Sequence, residues 1–196
     1  MFLFTWFIPV LISYLIGSIS FSFILTKLLK GVDIREYGSG NAGATNTLRV
    51  LGKGPAAAVF ILDALKGMAA VGIGYLASHG DQTVMMVCGI AAIVGHNWPV
   101  FLRFRGGKGI ATTVGVTVLL VFYSALIAGV LAILFIVLTR YVSLGSLIFT
   151  VMIPLVMLVF HYPYPLTLLM LLITLMAIWR HRQNIINLIK GQERKI

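Results

Sequence analysis

The run IATTVGVTVLLVFYSALIAGVLAILFIVLT, residues 110–139, holds thirty residues and no charged side chain. A membrane-spanning helix needs only about 20 apolar residues, so this run is too long for one upright span. We predict that it folds into two short crossings that turn near Tyr123 and Ser124. Two helices of about fifteen residues reach only ~22 Å each against a hydrocarbon core of ~30 Å, which implies helices that stop short, tilt beside longer neighbours or thin the bilayer.

Five further apolar segments accompany this run and set the class of the protein. They cover residues 2–26, 56–77, 83–102, 142–160 and 164–179. Of the 196 residues, 60% are hydrophobic and 10% charged, and the mean hydropathy is +1.03. That leaves too little polar surface for a soluble globule, so we predict an all-α integral membrane protein, a polytopic helical bundle. The net charge of +10 does not indicate nucleic acid, because no polar stretch could form a water-facing domain to carry it.

The distribution of lysine and arginine predicts the topology. The first inter-segment loop is basic, whereas the connection at residues 78–82 has no Lys or Arg; this places the N-terminus outside and the first loop inside. The C-terminal tail is basic too, so we predict a cytoplasmic C-terminus and an odd number of crossings. Six apolar segments become seven transmembrane helices if residues 110–139 cross twice. Five helices are the alternative, with single spans and one re-entrant segment. No linker interrupts the chain, so residues 1–196 are predicted to form one domain.

Three polar islands interrupt the apolar background, and the first is GSGNAGATN, residues 38–46. It fits G-x-G-x-x-G, but its flanks are membrane helices and not a βαβ unit, which excludes dinucleotide binding. Glycine permits positive φ, successive backbone N–H groups can form a nest, and the following helix N-terminus adds positive potential. We predict a site for phosphate or a developing oxyanion, against the alternative of a flexible turn. Arg49, three residues past Asn46, can grip phosphate in a bidentate way or act as an ordinary positive-inside anchor.

The other two islands also combine glycines or amides with fixed positive charge. Residues 95–109 place His96 in an apolar setting and set Lys108 among glycines, which suits a phosphate ligand on flexible backbone. His96 fits a satisfied core histidine or helix cap as well as a site role. His181 and Asn184 share one face if the last helix continues past Trp179. All three islands face inside in the predicted topology, and we interpret them as one phosphate-handling site.

Two charged residues lie within the apolar segment 56–77. Asp63 and Lys66 have i, i+3 spacing, and charges at that depth must pair or face the bundle interior. A structural ion pair is favoured, with support of the site as the alternative. The four histidines show no metal-ligand spacing, so no metal and no cofactor are predicted.

The three islands together resemble the bacterial membrane glycerol-3-phosphate acyltransferases of the PlsY type, which use acyl phosphate as donor. The resemblance rests on residues 38–46, on Gly95 to Gly109 and on the tail from His181 to Glu193, and it covers the whole chain. It implies a seven-helix enzyme of the bacterial inner membrane with its active site facing the cytoplasm. The implied reaction moves a fatty acyl group from acyl phosphate to the sn-1 hydroxyl of glycerol 3-phosphate. The products are lysophosphatidic acid and inorganic phosphate, in the first acylation step of phospholipid biosynthesis.

The family site carries over onto eight positions of this sequence. They are Ser39, Asn41, Asn46, Arg49, Lys108, His181, Asn184 and, in the tail motif, Glu193. Together with the residue chemistry, this predicts four catalytic residues, Ser39, Lys108, His181 and Asn184. The predicted substrate-binding residues are Gly38, Gly40, Asn41, Gly43, Thr45, Asn46, Arg49, His96, Gly106, Gly107 and Glu193.

Acyl phosphate is an activated mixed anhydride, so the enzyme has to position it, stabilise charge and remove one proton. The backbone of residues 38–43, with Ser39 and Lys108, is assigned to acyl phosphate, and Arg49, His181 and Asn184 to glycerol 3-phosphate. The base is His181, His96 or, as we favour, the acceptor's own phosphate. Expected partners are the two substrates, membrane lipids and a soluble enzyme supplying acyl phosphate, without nucleic acid. A transporter of phosphate compounds is the competing class, but it predicts islands at mid-membrane and inverted repeats, and no repeat is visible.

Overall fold

The computed structural model describes residues 3–196, and every regular element in them is helical. The ten α-helices are α1 (Ile8–Gly17), α2 (Phe21–Lys30), α3 (Ala44–Leu51), α4 (Lys53–Ser78), α5 (Gln82–Asn97), α6 (Ile110–Leu120), α7 (Phe122–Thr139), α8 (Val142–Val159), α9 (Tyr164–Arg180) and α10 (Arg182–Ile189). A π-helical turn covers Leu3–Phe7, and 3-10 turns cover Ile34–Glu36 and Val100–Leu102. The chain forms two compact units, residues 1–119 and residues 120–196.

Five helical segments are long and apolar enough to cross a membrane. They are Leu3–Lys30, Lys53–Ser78, Gln82–Leu102, Phe122–Thr139 and Val142–Val159. Helices α9 and α10 form a pair bent by 61° that counts as a sixth segment if taken together, and α6 is a shorter apolar helix. The predicted all-α, multi-pass membrane class is therefore confirmed, whereas the count of seven and the sides of the two termini stay predictions.

The apolar run at residues 110–139 does divide into two helices, as predicted. The position of the break and the lengths of the two helices differ from the prediction. The break lies at Val121, where φ is −141° and ψ is 52°, and Tyr123 and Ser124 belong to the first turn of α7. The two helices contain 11 and 18 residues and not about fifteen each. Val121 is the residue that leaves the helical region, two residues before the predicted turn at Tyr123.

The first apolar segment contains a helix break that the sequence did not predict. Helix α1 ends at Gly17, and α2 begins after Ser20, whose side chain accepts a hydrogen bond from the Phe23 amide at 3.3 Å. The Ser18 hydroxyl bonds back to the Tyr14 carbonyl at 2.9 Å. Short hydroxyl side chains compete with the helix for backbone groups, and two of them here flank a single apolar residue, Ile19.

Small residues let the helices of the first unit approach one another closely. A Cβ at Gly17 would overlap the Ala92 carbonyl, and one at Gly95 would overlap the Tyr14 carbonyl, so α1 and α5 touch through backbone. Glycines likewise seat α6: a Cβ at Gly67 would overlap the Thr112 carbonyl. Backbone contact through small residues is how membrane helices gain packing energy without a hydrophobic driving force.

The second unit is built around α8. Helix α7 packs along it, and a Cβ at Gly145 would lie 2.8 Å from the Ala132 carbonyl O. Helix α9 packs on it as well, and the Thr174 hydroxyl donates to the Thr150 carbonyl at 2.7 Å. The tail after α10 returns to the start of α8, because the Ile196 amide donates to the Arg140 carbonyl at 3.0 Å. The tail motif is thereby fixed in place.

Candidate active site

The first polar island folds as a tight loop that needs its glycines. Gly38 and Gly40 have φ of +63° and +71°, a left-handed backbone region that favours glycine. The Gly40 amide donates to the Tyr37 carbonyl at 3.0 Å, which closes a turn. This turn presents Ser39 at an exposed position.

Asn46 lies beneath this loop with 1% of its surface exposed. Its Nδ2 donates to the Tyr37 carbonyl at 2.9 Å and the Ile34 carbonyl at 3.2 Å, and its Oδ1 accepts from the Ser39 amide at 2.8 Å. The role visible in the structure is to order the loop, and contact of Asn46 with a substrate stays a prediction.

The loop uses several of the amides that were expected to form an anion nest. The amides of Ser39, Gly40 and Gly43 donate to Asn46 Oδ1, the Tyr37 carbonyl and the Asn41 carbonyl. The prediction of an anion nest that spans the whole loop is therefore wrong at these three amides. An anion could bind them only if the loop's own hydrogen bonds broke. Helix α3 begins at Ala44 and carries Arg49 at an exposed position.

Arg35 joins the segment that precedes the first polar island to the second island, whereas the sequence suggested only that the loop containing it is basic and lies inside. Its guanidinium pairs with Asp33, with Nη2 at 2.6 Å from Oδ2, and its Nη1 donates to the Leu102 carbonyl at 2.8 Å. The hydrogen bonds from Arg35 hold the pKa of the Asp33 carboxyl below its ordinary value. The sequence signal that could have found this pair is the Asp-x-Arg spacing next to a glycine loop.

The second island forms a loop whose two ends are fastened together. The Gly106 amide donates to the Asn97 carbonyl at 3.3 Å, and the Gly107 amide donates to the His96 carbonyl at 3.0 Å. A Cβ at Gly107 would overlap His96 Nε2 and lie 2.8 Å from the Ala42 carbonyl O. Only glycine fits here, and the loop preceding half-buried Lys108 therefore touches the first glycine loop.

The predicted ion pair inside α4 is confirmed. Lys66 Nζ lies 2.7 Å from Asp63 Oδ1, and both side chains are buried. Lys66 Nζ also lies 3.0 Å from His96 Nδ1, which connects the pair to the second island. Among residues 3–196 no group of three His, Cys, Asp or Glu side chains is arranged to hold a metal ion.

The third island lies in the second unit, at a helix bend. Helix α9 ends at Arg180 and α10 begins at Arg182, so the expectation of one helix continuing past Trp179 to carry both His181 and Asn184 is wrong. His181 occupies the bend with 3% exposure, and its Nδ1 lies 2.8 Å from the Ala177 carbonyl O. A carbonyl only accepts, so Nδ1 carries the proton, and in the neutral ring Nε2 is the basic nitrogen.

Glu193 in the tail holds Asn184. Its Oε1 accepts from Asn184 Nδ2 at 2.7 Å and from the Ser143 hydroxyl at 2.8 Å. Glu193 was predicted to bind substrate, whereas the visible contact is one that orients the amide of a predicted catalytic residue. Ser143 was missed, because nothing in the sequence connects the start of α8 to a tail fifty residues later.

Comparison with known proteins identifies the chain. A model of the glycerol-3-phosphate acyltransferase family matches residues 7–191. The chain belongs to that family. It is 52% identical over 192 residues to the glycerol-3-phosphate acyltransferase of Shouchella clausii, covering 95% of this chain and 94% of that protein. It is 53% identical over 189 residues to the one from Halalkalibacterium halodurans, covering 94% and 92%.

Solved structures agree with this membership of the glycerol-3-phosphate acyltransferase family. The crystal structure of PlsY, an integral membrane glycerol 3-phosphate acyltransferase, in its glycerol 3-phosphate form has a TM-score of 0.92 and 39% identity, covering 97% of this chain and 94% of that one. Its lysophosphatidic acid form has a TM-score of 0.89. The resemblance stated from the three islands is therefore confirmed, and this chain is a multi-pass membrane acyltransferase of the PlsY kind.

Proposed function

We propose that this protein transfers a fatty acyl group from acyl phosphate to the sn-1 hydroxyl of glycerol 3-phosphate. The acceptor oxygen forms a bond to the acyl carbon, the bond from that carbon to the phosphate oxygen breaks, and the products are lysophosphatidic acid and inorganic phosphate. The observation that carries the proposal is the contact of two glycine loops, one presenting Ser39 and the other leading into Lys108. Solved PlsY structures in glycerol 3-phosphate and lysophosphatidic acid forms support the acceptor and the product.

The two glycine loops suit the donor. Acyl phosphate presents a dianionic phosphate and a carbonyl that becomes an oxyanion during attack, so donors aimed at that oxygen accelerate the reaction. Lys108 supplies a compact cation on a glycine-flanked backbone, and Ser39 supplies a hydroxyl at the tip of a rigid turn. Gly38, Gly40, Gly43, Gly106 and Gly107 then act by letting backbone come close, and Asn46 acts by holding the turn.

The acceptor is assigned to Arg49, His181 and Asn184. A guanidinium matches a phosphate through two parallel hydrogen bonds, and Asn184 is oriented by Glu193 so that its amide has a fixed direction. His181 is held in the tautomer whose Nε2 accepts a proton. That makes His181 a stronger base candidate than its sequence context suggested, beside the acceptor phosphate itself.

We also propose the cellular setting. One family model matches residues 7–191, which supports a single acyltransferase domain. Basic residues in the first loop, the second island and the tail support seven crossings in the bacterial inner membrane, with the active site on the cytoplasmic side. A soluble enzyme that makes acyl phosphate would then deliver its product to that side.

The test is release of inorganic phosphate by purified protein in lipid, given acyl phosphate with and without glycerol 3-phosphate. We expect release that depends on the acceptor and yields lysophosphatidic acid. Arg49→Ala and His181→Asn should each abolish most of it. Lys53→Ala removes another exposed cation of the same unit, and His161→Asn places a tolerated residue at a left-handed position with φ of +53°; both controls should stay active. Well-folded protein without acceptor-dependent release contradicts the proposal, and uptake of intact phosphate compounds by vesicles would indicate a transporter.

A further inference from the structure

Three buried polar side chains in the first unit have no part in the reaction proposed above. Asp63, Lys66 and His96 are 1%, 4% and 6% exposed. Asp63 and Lys66 lie on α4, and His96 lies on α5, next to the second glycine loop. Burying ionised groups costs free energy unless they are paired and hydrogen-bonded. The burial of this cluster therefore indicates that it has a function.

Lys66 Nζ has three close polar neighbours. Its Nζ lies 2.7 Å from Asp63 Oδ1, 2.7 Å from the Ile19 carbonyl O and 3.0 Å from His96 Nδ1. The Ile19 carbonyl belongs to the break between α1 and α2, where it lacks a helical partner. An ammonium group donates hydrogen bonds and accepts none. Lys66 therefore hydrogen-bonds to the helix break and to the imidazole, and it forms an ion pair with the carboxylate.

These contacts determine the tautomer of His96. Because the Lys66 ammonium can only donate, His96 Nδ1 must accept, and the ring proton is then on Nε2. The Asp63 carboxylate is 3.5 Å from Nδ1, longer than a good hydrogen bond, so it does not compete for that atom. One carboxylate and one ammonium balance with a neutral imidazole, whereas an imidazolium would add an uncompensated charge to a buried site.

The protonated Nε2 faces the place where the two glycine loops meet. A Cβ on Gly107 would overlap Nε2 and lie 2.8 Å from the Ala42 carbonyl O. The backbone of His96 holds the same residue, since its carbonyl accepts the Gly107 amide at 3.0 Å. His96 therefore contacts Gly107 through its ring and through its backbone carbonyl, immediately before Lys108.

We propose that Asp63, Lys66 and His96 form a positioning triad that fixes His96 as the Nε2–H tautomer and so sets the junction of the two glycine loops and the placement of Lys108. All three are positioning residues, which replaces the predicted role of His96 as a substrate ligand. The link from this junction to catalysis rests on the function proposed above. The tautomer and the loop contact do not depend on it.

The first test needs no activity. Nitrogen-15 NMR of protein labelled in its histidine rings distinguishes the two neutral tautomers from imidazolium, and a His96→Gln sample assigns the His96 signals. We expect His96 to be neutral, with the proton on Nε2, throughout the neutral pH range. In Lys66→Met, with folding checked by thermal unfolding, the Nδ1 signal should move because it loses its donor. A protonated ring or the Nδ1–H tautomer in the wild type overturns the proposal.

The second test compares two amide substitutions that each imitate half of the imidazole. A glutamine amide reaches the Nε2 position and can hold the loop junction, whereas an asparagine amide reaches only the Nδ1 position and can satisfy Lys66. If the junction positions Lys108, His96→Asn should lower kcat/KM for acyl phosphate at least about tenfold further than His96→Gln, since misplacement by 1 Å is worth up to about 10²-fold. A merely structural histidine would give the opposite order or equal losses, accompanied only by changes in Tm.

The two proposals fail separately. If wild-type protein releases no phosphate from acyl phosphate with acceptor present, the donor assignment is wrong, and the imidazole spectrum still decides the triad. If the wild type is active but the asparagine and glutamine variants have the same kcat and KM, the triad does not position the site.

Discussion

Replacing Asn46 by alanine should disorder the first glycine loop without unfolding the protein. The change removes three hydrogen bonds, of 2.8, 2.9 and 3.2 Å, from a side chain that is 1% exposed. Each such bond contributes about 0.5–1.5 kcal/mol, so the ordered loop loses roughly 2–4 kcal/mol. Since each 1.36 kcal/mol is tenfold in rate, we expect kcat/KM for acyl phosphate to fall by about 10²-fold.

Hydrogen exchange is the assay that separates loop ordering from direct substrate contact. In the wild type the Ser39 amide is held by Asn46 Oδ1, so peptides covering residues 34–43 should exchange slowly. In Asn46→Ala they should exchange much faster, while peptides from α4 and α5 stay unchanged. Asn46→Asp keeps an acceptor for Ser39 but sets a carboxylate against two carbonyls, so it should be at least as damaging.

A matched control is available at Asn187, whose amide oxygen accepts one hydrogen bond from Gln183 at 3.1 Å near the helix surface. Asn187→Ala should leave both exchange and activity close to wild type. The reasoning is refuted if Asn46→Ala leaves exchange of residues 34–43 unchanged and raises only the KM for one substrate. That result would make Asn46 a direct ligand, as the sequence pattern first suggested.

Three further predictions follow from single contacts. Gly107→Ala inserts a Cβ against His96 Nε2 and the Ala42 carbonyl and should lower kcat/KM by about 10²-fold. Gly54→Ala is the control and should leave kcat/KM unchanged, because a Cβ at Gly54 has no neighbouring atom within 4 Å. Equal activities of the two variants would show that the loops do not meet as described. Glu193→Ala frees the Asn184 amide and should lower kcat/KM for glycerol 3-phosphate about tenfold, because hydrogen bonds to charged groups contribute about 1.5–3 kcal/mol. Glu36→Ala, at an exposed position, is the control. A lower Tm of Glu193→Ala without a kinetic change contradicts this prediction. Arg35 lowers the pKa of Asp33, so the stabilisation is complete above the unfolded-state pKa near 3.9 and is lost as pH falls through the lower folded-state pKa. Asp33→Asn should therefore lower stability near pH 7 by about 1 kcal/mol or less, and this difference in Tm should shrink below about pH 4; a pH-independent difference refutes the assignment.

The membrane class and the location of the three islands could be predicted because they depend on local composition. Apolar runs and glycine-rich basic loops are visible residue by residue, and the Asp63–Lys66 pair follows from helical spacing. The break near residue 121 was predicted only in outline, since length demands a turn but does not say which residue can leave the helical region. The break at Ser18 to Ser20 was missed, because an apolar run carries no sign of a carbonyl being captured by a lysine from another helix.

Contacts between distant parts of the chain account for most of what the sequence could not show about the site. Ser143 and Glu193 are fifty residues apart, and only the return of the tail to α8 brings them together. Asn46 is of a residue type that can bind a substrate, but the direction of its side chain depends on a 3-10 turn twelve residues earlier. The glycine patterns indicated positions where the backbone approaches another group closely. At Gly107 the neighbouring groups are a histidine ring and another loop.

The loop of residues 98–105 is fastened at both ends by the paired hydrogen bonds that join Asn97 to Gly106 and His96 to Gly107. These bonds close the loop at its base, ahead of Lys108, while in its middle the Leu102 carbonyl accepts a hydrogen bond from Arg35 at 2.8 Å. Phe101 and Phe104 on this loop are 63% and 58% exposed. An environment-sensitive fluorophore attached at either exposed position would therefore report on the surroundings of the loop in a working enzyme.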